Sequence, residues 1–201
     1  MKVKQFLIIL IVFLSVNGCG MTEDLMKARY TLNKARHSVQ VAGDHPALNE
    51  HRLKNSAEIC LRENDKQCLA LAYELYGHLY RSNTIRVEQN HYEEKGFVEP
   101  NVTFENRFEH SAKHFEKAIS YWDHAKDHKE ISTLYIQLSL SYHLIEDIEK
   151  ECLALEKSLQ YHFQAYPEDD MPADEIPMNF ERFSDYILQL QSQAGCASKP
   201  E

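Results

Sequence analysis

Eleven histidines in 201 residues are the first candidates for chemistry. Two pairs are spaced four apart, His110 with His114 and His124 with His128. Residues four apart share a helix face, so each pair can chelate a transition-metal ion through imidazole nitrogens. With Phe115 set at zero and about 100° per residue, the four fall between about 180° and about 260°. They therefore line the side opposite the apolar stripe through Phe115, where Asp123 or Asp127 can assist. The candidate metal set is His110, His114, His124 and His128. A solvated polar face interleaved with Lys113 and Lys117 has the same composition. Other catalytic patterns are missing: HExxH and GxSxG do not occur, and six glycines are too few for phosphate-cradling loops. The acidic pairs Glu93-Glu94 and Asp169-Asp170 read as solvated loop residues. No enzyme is expected, and no cofactor.

The five cysteines point to redox chemistry of a structural kind. Setting Cys19 aside leaves Cys60, Cys68, Cys152 and Cys196, an even number that suits an oxidising compartment. Three connectivities are possible. Cys60 sits near the end of one apparent helix and Cys68 opens the next. Cys152 lies near the start of a helix and Cys196 just past the end of the last. Antiparallel packing brings these ends together, so the expected bridges are Cys60–Cys68 and Cys152–Cys196. A CxxC motif is absent.

Tyrosine is also abundant, at eleven. Tyr73, Tyr76 and Tyr80 fall at helical spacing, as do Tyr135 and Tyr142. Such residues either pack a core or line a groove, where tyrosine offers a large contact area and a polar tip. These five are the candidate partner-binding residues.

The elements that must position these residues are helices. Hydrophobic residues make up 43% and charged residues 26%, which excludes wholesale disorder, and Gly and Pro number six each. Apolar spacing predicts seven helices after the N-terminal segment. The first, over 21–42, turns Leu25, Ala28, Leu32, Ala35 and Val39 inward and stops at Gly43-Asp44-His45-Pro46. The second, over 47–61, uses Leu48, Leu53, Ala57 and Leu61. The third covers 67–82. Residues 83–102 lose periodicity and read as a loop or insertion. The fourth, 104–126, has the clearest stripe, from Phe104 through Phe108, Ala112, Phe115, Ala118, Ile119 and Trp122 to Ala125. The fifth, 129–145, uses Ile131, Leu134, Leu138, Tyr142 and Ile145. The sixth, 147–165, uses Ile148, Cys152, Leu155, Leu159 and Phe163. An acidic, proline-rich connector over 166–177 precedes a last helix over 178–195. The expected fold is all-α, an array of antiparallel helix pairs forming a superhelix or a helical bundle, within one domain over 24–196, followed by a tail at 197–201.

The N-terminus is an address. Lys2 and Lys4 precede an eleven-residue run from Phe6 to Val16 that is apolar but for Ser15. At 1.5 Å per residue this run is about 16 Å long, too short for a hydrocarbon core of about 30 Å. It reads as an export signal over 1–18. The following Val16-Asn17-Gly18-Cys19 resembles the lipobox of a bacterial lipoprotein signal. The resemblance implies cleavage before Cys19, lipid attachment to that residue and a short tether over 19–23. Gly20 stands where Asp would signal retention at the inner membrane, which implies an outer-membrane anchor facing the periplasm.

The helices also carry small-residue patterns: Ala28-x-x-x-Leu32-x-x-Ala35, Gly77-x-x-Tyr80, Ser111-x-x-x-Phe115-x-x-Ala118, Leu138-Ser139-x-x-Tyr142 and Glu151-x-x-x-Leu155-x-x-Ser158. Small residues let helices approach and large ones fill the space between. In ordered succession they resemble a degenerate array of tetratricopeptide repeats. The spacing from Phe115 to Leu155 is 40 residues rather than the usual 34, residues 83–102 interrupt the array, and Glu151 stands at a small-residue position. The resemblance implies a concave binding surface and a periplasmic adaptor or scaffold in envelope assembly, engaging a protein or peptide. The alternative is a metal-binding or metal-sensing lipoprotein using the histidine face. Net charge is −9, and −11 once Lys2 and Lys4 are removed. That balance disfavours nucleic acid and predicts a partner with a basic face.

Overall fold

The computed structural model describes residues 21–40 and 46–196. The signal segment, Cys19, the stop at Gly43 and the tail lie outside the described residues. Nine α-helices and one 3₁₀ turn occur among those residues, with no strand. None of the helices is long and apolar enough to cross a membrane.

Helix α1 (Glu23–Gln40) and helix α2 (Pro46–Arg62) form an antiparallel hairpin. Its two ends are tied by Asn49 to Ser38 (2.8 Å) and by Arg62 to Asp24 (2.8 Å). All five apolar positions expected to face inward on α1 are buried. On α2 the buried face differs from the expected one. Leu53 is buried, but Leu48 and Leu61 are exposed, and Asn49, Glu50, Ser56 and Cys60 point inward instead. The Cys60–Cys68 bridge and hydrogen bonds to Glu50 set that rotation. Pro46 begins α2 rather than ending the preceding segment, since a first-turn residue needs no amide donor.

Helix α3 (Lys66–Arg81) follows a three-residue turn. Asn64 takes φ 54°, and the Asp65 amide donates to the Cys60 carbonyl at 2.9 Å, closing α2. The Asp65 side chain then accepts from the Cys68 amide at 3.0 Å, opening α3. Residues 83–102 are not the irregular segment expected. They contain helix α4 (Asn83–Val87), capped by Ser82, and helix α5 (Gln89–Lys95), closed at Gly96 with φ 76°. Each buries a single large side chain, Ile85 and Tyr92, too little to produce a visible stripe.

Helix α6 (Arg107–Tyr121) packs antiparallel on α3 across this insertion. It is shorter than the predicted 104–126. Trp122 is extended (ψ 150°), and the Asp123 carboxylate accepts from the Ala125 amide at 3.0 Å, replacing helix with a turn. Phe104 and Phe108 flank the Arg107 guanidinium at 3.8 and 4.0 Å, so the start of the stripe packs a cation and stays half-buried. Helix α7 (His128–Leu144) and helix α8 (Ile148–Ala165) form a third hairpin. Its turn repeats the device of the α2–α3 turn: Glu146 at φ 59°, then Asp147 capping the Lys150 amide at 3.2 Å. On α8 the buried face is Glu151, Ala154, Leu155, Ser158 and His162, while Ile148 and Phe163 are exposed, against expectation. Glu151 is tolerated at a small-residue position because His143 lies 3.2 Å from its carboxylate. Helix α9 (Phe183–Gln193) closes the array against α8 and is shorter than the predicted 178–195.

Small residues set the helix spacing. The Ser111 hydroxyl donates to the Gly77 carbonyl at 2.7 Å and lies 2.9 Å from the Ser141 hydroxyl. Between α7 and α8, Ser132 and Ser158 each donate to the other's carbonyl at 2.9 Å. Three apolar clusters follow one another along the chain, over α1–α5, α6–α8 and α7–α9. Cys60 and Cys68 are bridged, as are Cys152 and Cys196, with Cα separations of 5.6 and 5.5 Å. Both pairs are those the helix order predicts.

Candidate functional site

The densest polar cluster sits where α2, α3, α6 and the segment after α5 meet. Glu50 is fully buried on α2. One of its oxygens accepts from the Val98 amide (2.9 Å), the Glu99 amide (3.2 Å) and the Tyr80 hydroxyl (3.1 Å). Glu50 therefore pins the backbone that carries Glu99. The Tyr80 hydroxyl also lies 2.9 Å from the Glu99 carboxylate, so one proton serves two carboxylates in turn. His114 Nε2 approaches the same Glu99 oxygen at 2.7 Å. Around His114 the rings of Tyr76 and Tyr73 stack at centroid distances of 4.8 and 5.7 Å, and Tyr80 lies at 5.4 Å.

Electrostatics differ for the two acids. Burial raises the Glu50 carboxyl above its usual 4.5, against the amides and hydroxyl that favour its ionised form. Burial also pushes Glu99 up, but the hydrogen bond and charge of His114, with the Tyr80 hydroxyl, outweigh it and leave Glu99 below the ordinary range. Burial, assisted by Lys113, lowers His110. Tyr76, Tyr80 and Tyr92 are raised, first by burial and then by Glu50, and remain protonated. Above the cluster opens a cavity of about 220 Å³, lined among others by Tyr73, Tyr76, Glu99, His114 and Lys117.

The expected four-histidine face does not assemble. Helix α6 packs against α3 on one side and α7 on the other, so His114 is buried rather than solvated. His110 stands beside it, and the ligand atoms of Glu99, His110 and His114 lie within 4.8 Å of one another. His124 and His128 fall past the end of α6. His124 Nδ1 lies 2.7 Å from the Tyr161 hydroxyl, and His128 Nε2 contacts the His124 carbonyl at 3.1 Å. Glu99 and Glu50 escape sequence reasoning. Glu50 had one usable signal: it sits in helical phase with Leu53 and Ala57.

A second site is a groove of about 400 Å³ between α6, α7 and α8. Ile119, Leu138, Leu153 and Ala154 form its apolar surface, Tyr135 and Tyr142 one wall, and Glu116, Lys150 and Lys157 its charges. The Tyr142 hydroxyl donates to Glu116 at 2.5 Å. Of the five candidate tyrosines, Tyr135 and Tyr142 meet here and Tyr73 edges the other cavity. Tyr76 also lines that cavity, though largely buried, and Tyr80 is interior.

Asp169 was expected in a solvated connector, but its side chain is only 8% exposed. It accepts from Ser184 at 2.5 Å and lies 2.5 Å from His162 Nε2, fastening the connector between α8 and α9. The acid lies between the serine and the histidine, so no imidazole stands against the serine, and the order is not that of a serine–histidine–acid triad.

No family model, curated protein or solved structure matches the chain.

Proposed function

We propose that this chain is a non-enzymatic outer-membrane lipoprotein, anchored through Cys19 and facing the periplasm, that acts as an adaptor in envelope assembly. In this reading the hairpins form a tetratricopeptide-like array, and the groove between α6, α7 and α8 receives a segment of a partner protein. The groove is the observation that carries it. It is open, it pairs an apolar surface with two tyrosines and charges of both signs, and Leu153 at its edge is 54% exposed. An open groove of that composition suits an extended or helical peptide with a few anchors. The net charge of −9 favours a partner with a basic face, whose binding weakens as salt rises. Lipid attachment concentrates the array at a membrane, where weak contacts become effective.

The test is photo-cross-linking in intact cells. A photoreactive residue at Leu153 is compared with one at Val87, an exposed apolar position on α4 away from the groove. The expected result is a reproducible envelope-protein adduct from Leu153 alone, lost in Cys19→Ser. Equal adducts from both positions, or none from Leu153 in folded protein, reject the groove.

A further inference from the structure

We propose that Glu99, His110 and His114 form a binding site for a divalent transition-metal ion of the zinc class. The proposal is independent of the adaptor reading and uses a different face of the molecule.

Two imidazoles four residues apart on α6 and one carboxylate from the segment after α5 converge there. Their ligand atoms lie within 4.8 Å of one another. A tetrahedral zinc ion with bonds of about 2.1 Å holds its ligand atoms about 3.4 Å apart. Half-buried His110 and Glu99 supply the movement needed, the 2.7 Å His114–Glu99 pair opening and the wider spacings closing. His114 has little freedom, being stacked against Tyr76 and Tyr73 with interplanar angles of 14° and 17°.

The surroundings are those of a supported ligand set. Glu50 accepts from the Glu99 amide and fixes the backbone of the carboxylate ligand, and Tyr80 reaches the carboxylate itself. Outer contacts of this kind orient ligands and raise metal affinity. Nδ1 of His114 and Oε2 of Glu50 are buried without a hydrogen-bond partner, so the cluster does not satisfy itself. Two carboxylates share one hydroxyl there, and a divalent cation relieves their repulsion.

The donor types choose the ion. Two nitrogens and one carboxylate oxygen suit zinc and its neighbours, whereas calcium and magnesium require oxygen shells. Thiolate competition is absent among the described residues, because all four of their cysteines are bridged. Three protein ligands leave a fourth position, and Glu99 and His114 border the 220 Å³ cavity. Reversible loading through that cavity fits the arrangement better than a closed structural ion. Binding displaces the proton held between His114 and Glu99, either to solvent or to the second ring nitrogen.

The full chain, purified in detergent and stripped with a chelator, is titrated with zinc chloride against a chromophoric zinc indicator. One ion per chain should bind with a Kd below about 10 μM. His110→Ala should weaken it at least about tenfold, as should Glu99→Gln, whereas the double variant His124→Ala/His128→Ala should bind as the wild type does. Zinc should raise the melting temperature of the wild type and not of His110→Ala. His110 carries the test because it is half-buried, so its variant folds where a His114 variant can fail. Calcium at the same concentrations should leave the melting temperature unchanged. Absence of wild-type binding below about 10 μM overturns the site. So does less than about tenfold weakening by His110→Ala, or loss of binding in the His124/His128 double variant.

Discussion

Gly77→Ala tests whether the close approach of α3 and α6 holds the centre of the molecule. A Cβ on Gly77 would stand 2.6 Å from Cε2 of Phe115 and 2.7 Å from its Cζ. The ring has no easy retreat, because Phe115 is fully buried, His78 meets its face edge-on at 5.1 Å and the Arg81 guanidinium lies 5.3 Å away. The helices must therefore part. Overpacking of this kind costs about 1–3 kcal/mol. Weakening the hydrogen bond from Ser111 to the Gly77 carbonyl adds about 1 kcal/mol. Alanine's better helix propensity offsets about 1 kcal/mol. The net expectation is a loss of about 2 kcal/mol, or a melting point about 4–8 °C lower for a chain of this size. The assay is urea and thermal unfolding of the full chain, followed by far-ultraviolet circular dichroism. Phe115→Leu removes the ring edge that the methyl group strikes. The double variant should then be more stable than the sum of the two singles predicts, by about 1 kcal/mol or more. A neutral or stabilising Gly77→Ala, or strictly additive singles, refutes the reasoning.

Two further outcomes are expected. Loss of Cys152–Cys196, which spans 44 residues, should cost about 4 kcal/mol, and loss of Cys60–Cys68, which spans 8, about 2.5 kcal/mol; urea midpoints of the Cys→Ser pairs give the order, and the reverse order contradicts the chain-entropy account. Burial raises Glu50 above its usual 4.5, so the folded state binds the extra proton and stability from this group falls as pH rises through and above that value. Glu50→Gln keeps an oxygen for the Val98 and Glu99 amides and removes that decline, so chelator-stripped variant should match or exceed the wild type at pH 7. A Gln variant that loses more than about 2 kcal/mol at pH 7 contradicts this assignment.

Legibility of the fold followed the width of each helix's apolar face. Helix α1 buries only one stripe, and its five positions could be read directly. Helix α6 packs on two sides, so His114 looked solvent-facing by angle and is interior in fact. Helices α4 and α5 contribute one buried side chain each, Ile85 and Tyr92, and a period cannot be seen in single residues. The bridges were legible because they join helix ends, which chain order alone brings together. The cluster was not. Its key contacts join Glu50 to an amide 48 residues away and Glu99 to a histidine 15 residues away. Such pairings depend on how α2 rotates, and a buried carboxylate at position 50 contradicts the polarity expected of that phase.

The two bridges also differ in when they can form. If the chain is exported N-terminus first, as proposed above, Cys60 and Cys68 arrive together, eight positions apart across one tight turn. They are consumed by each other before Cys152 emerges. Cys152 then pairs with Cys196, 44 residues later, once the first two thiols are bridged to each other. In that order of arrival, the native pairing is the first available of the three connectivities of these four cysteines. The chain needs no reshuffling step to reach it, and its final closure reports that the C-terminal helix has docked.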